Sequence, residues 1–279
     1  MFTLNCNGRL LIIDKPIVMG IINVTPDSFY SKSRIQNIDE VLTQAEKMLV
    51  EGATILDVGG QSTRPRSTRI SANEETERVI PAIEAIQKKF SNSFISVDTY
   101  SSDVAVNAIA AGACIVNDIS GGTMDEKMLS TIGKLSVPYI CMHIKGTPET
   151  MQENPAYKNV VTEVLDFFIH QTEKCRTNNI NDVLIDPGFG FGKTHAHNFQ
   201  LLKNLSAFKM LDRLIVAGLS RKNTIYKTLN ITAEESLNGT TVLNTIALLN
   251  GANILRVHDV KEAMQAIELV SAYKNNNNF

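Results

Sequence analysis

The chain has 279 residues, with 27 basic and 29 acidic side chains and a formal charge of −2 at pH 7, a balance that offers no general attraction for nucleic acid or an anionic membrane. No apolar run approaches the roughly 20 residues of a membrane span, and the opening "MFTLNCNGRLLIIDKPIVMG" is broken by Arg9, Asp14, Lys15 and Pro16, unlike a signal peptide. A cytoplasmic protein is therefore expected, with Cys6, Cys114, Cys141 and Cys175, which form no C-x-x-C, as reduced structural thiols.

In chain order, Asn7-Gly8 within "TLNCNGRLLIID" marks a short N-terminal β-hairpin over residues 1–16. Eight short β-rich runs follow: "IVMGIINV", "TILDVGG", "FISVDTY", "CIVNDISG", "PYICMHI", "VLIDPG", "LIVAGLS" and "ILRVHDV". They are apolar without alternation, as parallel strands buried on both faces should be. Between the first two, "NIDEVLTQAEKMLVEGA" repeats Ile38, Val41, Leu42, Ala45, Met48 and Leu49 at helical spacing, with Asn37 and Glu40 as a capping box and Gly52 as a stop. "SANEETERVIPAIEAIQKKF" repeats the pattern from Ser71 and Glu74, with Pro81 expected to kink or interrupt it. Strands alternating with helices over this length favour an α/β fold of the (β/α)8 TIM-barrel type over an open doubly wound sheet. A single domain over residues 1–279 is expected, with 274–279 as a disordered tail.

Polar residues fall repeatedly at or just past the apolar part of these runs: Asn23, Asp57, Asp98, Asn117, His143, Asp186, Lys222, Arg256 and His258. In a barrel these positions share the C-terminal face, where catalytic groups gather. A lone Asp after a strand is commonly a turn former or helix cap, so the weight lies in the recurrence. His143 fits a satisfied core histidine equally well, and His195 and His197 fit helix-start surface positions better than a metal pair.

"DPGFGFGKT" invites comparison with a nucleotide P-loop, but the glycine required five positions before Gly192 is Pro187, which has a fixed φ and no N–H for a phosphate. Lys193 is accordingly not read as a phosphate lysine. Asp98, Asn117 and Asp186 are acceptor-rich and suit a flat heterocycle with several N–H donors along one edge. Lys222 can donate to such a ring, and Arg256 can stack on it or bind an anionic substituent. Arg64, Arg66 and Arg69, then Arg221 and Lys222, then Arg256 and His258 gather positive charge near the ends of three strands, which points to a phosphorylated substrate. Asn23, in "GIINVTPDSF" before Pro26 and Asp27, offers a neutral oxygen to a hard divalent cation sharing phosphate ligands.

The ordered series "GIINVTPDSF", "ILDVGGQSTRP", "SVDTY", "VNDISGG", "DPGFGFGK", "GLSRK" and "RVHDV", across residues 18–260, resembles the motifs of the dihydropteroate synthase family. The resemblance implies condensation of 6-hydroxymethyl-7,8-dihydropterin pyrophosphate with p-aminobenzoate, giving 7,8-dihydropteroate and pyrophosphate, with Mg²⁺ as cofactor and a homodimer as assembly. By this resemblance Asp98, Asn117, Asp186 and Lys222 match pterin positions, and Asn23 the position associated with Mg²⁺ and pyrophosphate. Arg64, Arg256 and His258 match anion positions, while Thr63, Pro65, Phe191 and Lys222 match the region where p-aminobenzoate docks. Asn23, Lys222, Arg256 and His258 are the residues expected to act in the reaction. Small-molecule substrates, no nucleic acid and no membrane are the expected partners.

The match has departures. Gln61 stands where the series usually reads Glu, "DSFYSKSR" lacks the usual glycines, "STRPRSTRIS" carries extra arginines, and Asn223 follows Lys222 where some relatives carry Ser. They bear on the mouth loops more than on the reaction. Two other readings stay open: a related barrel that moves a methyl group from methyltetrahydrofolate to a corrinoid protein, and a pterin-binding protein without turnover. Replacing Asp186 by Asn is expected to weaken pterin binding, and replacing Lys193 by Ala is not.

Overall fold

The hairpin forms where Asn7-Gly8 asks for it. In the computed structural model, which describes residues 1–24, 34–63 and 67–275 apart from the side chains of 34–37, β1 (Phe2–Cys6) pairs antiparallel with β2 (Arg9–Ile13). Asn7 and Gly8 have φ of 53° and 84°, the two left-handed residues of a type I′ turn.

All eight expected runs are parallel strands: β3 (Ile17–Asn23), β4 (Ile55–Gly59), β5 (Phe94–Asp98), β6 (Ile115–Asp118), β7 (Tyr139–Met142), β8 (Val183–Asp186), β9 (Val216–Ala217) and β10 (Ile254–Val257). They pair in the order β8-β7-β6-β5-β4-β3-β10-β9. Ile185 N donates to Leu214 O at 2.9 Å, beside a parallel bridge between Ile185 and Ile215 that joins the two ends. The sheet is thus closed into a TIM barrel. Its helices are α1 (Arg34–Val50), α2 (Ala72–Lys89), α3 (Ser102–Ala110), α4 (Met128–Leu135), α5 (Val160–Thr177), α6 (His195–Lys203), α7 (Asn223–Leu229), α8 (Leu237–Leu249) and α9 (Val260–Asn275).

Three local expectations are corrected. Helix α1 opens at Arg34, so Asn37 lies inside it and is not its N-cap. Ser71 does cap α2, accepting from Glu74 N at 3.2 Å, but Pro81 does not interrupt that helix. Its inner face of Val79, Ala82, Ile83 and Ile86 is fully buried, and this packing outweighs the loss of one backbone donor. At the other end α9 continues to Asn275, with Lys274 Nζ donating to Leu248 O at 3.0 Å. Residues 274 and 275 are therefore helical, and 276–279 lie outside the described residues.

The inner side chains change character on rising through the barrel. At the bottom Met19, Ile55, Ile115, Ile140, Leu184, Val216 and Ile254 form one buried cluster with Leu4, Cys6, Leu11 and Ile13 of the hairpin, which plugs that end. Side chains two residues apart on a strand share a face. The next inner position after Ile55, Ile115, Leu184 and Ile254 is Asp57, Asn117, Asp186 and Arg256, and Asp98 stands in register with Asn117. The outward set, including Val18, Leu56, Val97, Val116 and Leu255, packs under the helices in the larger core. An apolar plug thus carries a polar layer directly above it.

Candidate active site

Four members of that polar layer form one hydrogen-bonded group. Asp57 Oδ2, fully buried, accepts from Asn117 Nδ2 at 3.0 Å and from Arg256 Nε at 2.6 Å. Arg256 Nη2 also donates to Asp98 Oδ2 at 2.5 Å. One guanidinium therefore ties β4 and β5 to β10, with β6 joined through Asn117. Burial works against the charge of Arg256, but Asp57 and Asp98 more than offset it and hold its pKa above the ordinary value. Burial pushes the Asp98 carboxyl up to about 7 against the pull of Arg256. The 2.5 Å contact to the guanidinium favours the ionised carboxylate and burial favours the neutral acid, with burial the larger of the two. Asp57 Oδ1 is buried with no partner among the described residues.

Across the barrel, Asp186 Oδ1 accepts from Gly188 N at 2.7 Å. Burial raises its carboxyl pKa, opposed mainly by Lys222. A side chain at Gly218 would place its Cβ 3.7 Å from both Asp186 Oδ2 and Lys222 Nζ, so its absence leaves carboxylate and amine facing one space. Lys222 Nζ donates to Phe189 O and stands 4.8 Å over the Phe191 ring. Burial lowers the Lys222 pKa to about 8, with Asp186 opposing. Beside these groups Tyr100, Ile119 and Met142 form a small buried apolar cluster joined by Phe191. The space between is walled by flat or apolar side chains and edged by acceptors and one amine, the makeup of a pocket for a polar planar ring.

The other expected site residues are distributed around this pocket. Asn23 ends β3 opposite Gly59 of β4, and Thr63 is half-buried. His258 is exposed just past β10, its Nδ1 3.0 Å from Ser220 Oγ. Arg64, Pro65 and Arg66, like Pro26, Asp27 and the rest of 25–33, lie outside the described residues. The positive mouth is smaller than the sequence implies. Arg221 gives Nε and Nη2 to the two oxygens of Asp259 at 2.9 and 2.8 Å, and Nη1 to Ala233 O and Glu234 O, so it braces the loop after β9.

The histidines resolve by environment. His143 is buried, and burial together with Lys193 drives its pKa down to about 2, the state of a neutral core imidazole. His197 takes part in the cap of α6: Thr194 Oγ1 accepts from His197 N, and His197 Nδ1 accepts from Thr194 N, both at 3.2 Å. The helix-start reading of this pair therefore holds. Among the described residues no group of three His, Cys, Asp or Glu side chains is placed to hold a metal.

Two residues to which the sequence assigns no role complete the site. Asp57 shares the rung of Asn117 and Asp186, two residues past the plug, and that common spacing was a usable signal. Gln61 was noted only as a departure. Its Nε2 donates to Ser62 O at 2.8 Å and Thr68 O at 3.1 Å, while its Oε1 accepts from Ile70 N at 2.8 Å. A carboxylate cannot make those two donations, so glutamine suits this chain's loop after β4.

A family model described as pterin binding enzyme matches residues 19–258. The dihydropteroate synthase of Haemophilus influenzae is 41% identical over 274 residues, covering 98% of this chain and 99% of that one. A crystal structure of Yersinia pestis dihydropteroate synthase with a sulfonamide drug complex superposes with a TM-score of 0.92 at 40% identity, covering 98% of this chain and 99% of that one. The Xanthomonas albilineans dihydropteroate synthase in complex with 7,8-dihydropteroate gives 0.88 at 35% identity, with 98% and 99% covered. With the barrel, its polar layer and these near full-length likenesses in agreement, the chain belongs to the pterin binding enzymes and, among them, to the dihydropteroate synthases.

Proposed function

We propose that the chain condenses 6-hydroxymethyl-7,8-dihydropterin pyrophosphate with p-aminobenzoate, releasing pyrophosphate and forming 7,8-dihydropteroate. The observation that carries this is the facing of Asp186 and Lys222 across one space, beside Asn117 and Asp98 and against the Met142 and Phe191 wall. Carboxylate oxygens of Asp186 and Asp98 accept from the N–H edge of the pterin, Asn117 both donates and accepts, and Lys222 donates to a ring nitrogen or carbonyl. Arg256, held flat by Asp57 and Asp98, covers the ring and adds positive charge near the leaving group. The family resemblance assigns binding of the pyrophosphate to Arg64 and His258. Thr63, Pro65, Phe191 and Lys222 receive p-aminobenzoate. The relative solved with 7,8-dihydropteroate, which joins both halves in one molecule, supports this reaction.

In the reaction the arylamine nitrogen bonds to the pterin methylene as the carbon–oxygen bond to pyrophosphate breaks, and the amine proton leaves with the pyrophosphate. The chain holds the ring, aligns the amine and neutralises the departing charge; no side chain forms a covalent bond. Asn23 presents one neutral oxygen and the described residues add no acidic cluster, a donor set that fits Mg²⁺ arriving with pyrophosphate and keeping several waters. When bound, Mg²⁺ would neutralise charge on the pyrophosphate oxygens.

The unit of activity in this proposal is one barrel domain over 1–279, paired as a homodimer. On α8 Val242, Ile246 and Leu249 recur on one face and are exposed, as are Leu269 and Tyr273 on neighbouring α9, an apolar patch of the kind that subunits cover. Among the described residues no helix is long and apolar enough to cross a membrane, and all four cysteines are free and buried, which supports a cytoplasmic location.

The decisive experiment is pyrophosphate release from dihydropterin pyrophosphate and Mg²⁺, with and without p-aminobenzoate. Release that requires p-aminobenzoate and yields dihydropteroate is expected; pterin binding without release would leave a binding protein. Lys222 sets a second expectation. Its amine carries charge below about 8 and loses it as pH rises, so kcat/KM for the pterin substrate should fall on the alkaline side with a midpoint near 8. In the Lys222→Arg variant, whatever its residual rate, that limb should be gone. An unchanged limb would assign it to another group.

A further inference from the structure

We propose that Lys193 is a positioning residue whose buried amine clips the 188–192 loop into the shape that presents Asp186 and Lys222 to the pterin, an assignment that rests on the pterin-binding reading above. Lys193 is 2% exposed and turns back beneath the loop it ends. Its Nζ lies 2.9 Å from each of Gly188 O, Phe191 O and His143 Nδ1, and 3.3 Å from His143 O. The three acceptors at 2.9 Å match the three N–H bonds of an ammonium. A neutral amine keeps both carbonyls and accepts from His143 Nδ1–H instead, so the clip closes in either state. Burial drives its pKa well down, Asp186 of β8 opposes, and Lys222 and Lys145 from the loops after β9 and β7 add to the fall. His143, His197 on α6 and Tyr157, whose hydroxyl donates to Gly192 O at 2.9 Å, are further titratable groups around it among the described residues.

Filling this space needs no nitrogen; a methionine would do so without the cost of burying an amine. What the nitrogen supplies is direction. The carbonyls of 188 and 191 turn to Lys193, and the carbonyl of Phe189 between them receives Lys222 Nζ. Gly188 N, at the head of the same loop, donates to Asp186 Oδ1 at 2.7 Å. Both the anchor of Lys222 and the orientation of Asp186 are therefore set by the strip of backbone that Lys193 holds. Read this way, Lys193 is no phosphate ligand, yet its loss is not silent, contrary to the sequence expectation for Lys193→Ala.

The test compares the parent with Lys193→Met, which keeps the length and removes the donor, and with Lys193→Gln, which keeps one donor group. Competitive acetylation read by mass spectrometry gives the titration of Lys222, and calorimetry with 6-hydroxymethylpterin gives ring affinity. In Lys193→Met the pterin Kd should rise about tenfold or more, and Lys222 should titrate above about 8, toward 10.5, as water reaches it. Lys193→Gln should lie between. If the Lys222 titration stays within about half a unit and the Kd within about twofold, the positioning role is overturned, even if melting temperature falls. Should Lys193→Met not fold, Lys193→Gln decides on the same two readings. Absence of p-aminobenzoate-dependent pyrophosphate release by the parent would overturn the proposed reaction, while the Lys222 titration would still decide the role of Lys193.

Discussion

Arg256→Met is expected to abolish measurable pterin binding, to slow turnover by roughly a hundred- to a thousandfold, and to cost about 3–5 kcal/mol of stability near neutral pH. The reason lies in what one guanidinium satisfies. Asp57 is fully buried and Asp98 nearly so, and both aim an oxygen at Arg256 at 2.6 and 2.5 Å. Without the cation two carboxylates share a closed layer with only Asn117 between them, and one must take up a proton. The pH dependence separates this from simple loss of packing. The Asp98 carboxyl is already raised from 3.8 to about 7 in the folded chain, so it holds a proton where the unfolded chain has released it. Stability from this group therefore falls as pH rises from about 4 through about 7. Removing Arg256 raises the carboxyl further, so the deficit should widen as pH rises above about 7 and stay level below it, where both forms hold the proton. Denaturant melts across that range, with calorimetry against a pterin, would check both parts. A deficit independent of pH, with pterin binding intact, would show that Arg256 is only a packing residue.

Much of this arrangement was legible because parallel strands buried on both faces leave a simple trace. Each barrel strand reads as an apolar run, and any polar residue inside one is conspicuous: Asp98, Asn117 and Asp186 stood out for that reason, and the structure gathers them above one plug. What the trace omits is partnership. Arg221 and Lys222 are adjacent and equally basic, yet Arg221 turns to Asp259 and Lys222 turns into the pocket. The split follows from Arg221 having a left-handed φ of 53°, which no residue type announced. Asp57 was noted at a strand end but given no role, because its importance lies in two donors arriving from β6 and β10. Lys193 loses its phosphate role with the P-loop reading, and only the fold shows the four acceptors that close around it. Pro81 departs in the other direction: the helix runs on through it, since local propensity yields to a fully buried helix face.

The loop of glycines offers the second large effect. Gly188→Ala should lower stability by more than about 3 kcal/mol or force the loop out of place, and in either event turnover should drop about a hundredfold. Two causes combine. Gly188 has a φ of 69°, a conformation costing a side-chain-bearing residue roughly 1–2 kcal/mol, and its added Cβ would stand 2.0 Å from His143 O. That oxygen is backbone at the end of β7, where His143 N donates to Asp186 O at 3.0 Å, so it cannot withdraw without loosening the strand that carries Asp186. Gly190→Ala is the matched comparison. Its φ of 87° carries a similar strain, but its Cβ would meet only Lys222 Cδ at an ordinary 3.4 Å. Stability of Gly190→Ala should fall by the strain alone, about 1–2 kcal/mol, with most pterin affinity kept. If the two variants lose affinity equally, left-handed strain rather than close approach governs the loop; if Gly188→Ala binds pterin like the parent, the loop tolerates displacement and does not fix Asp186.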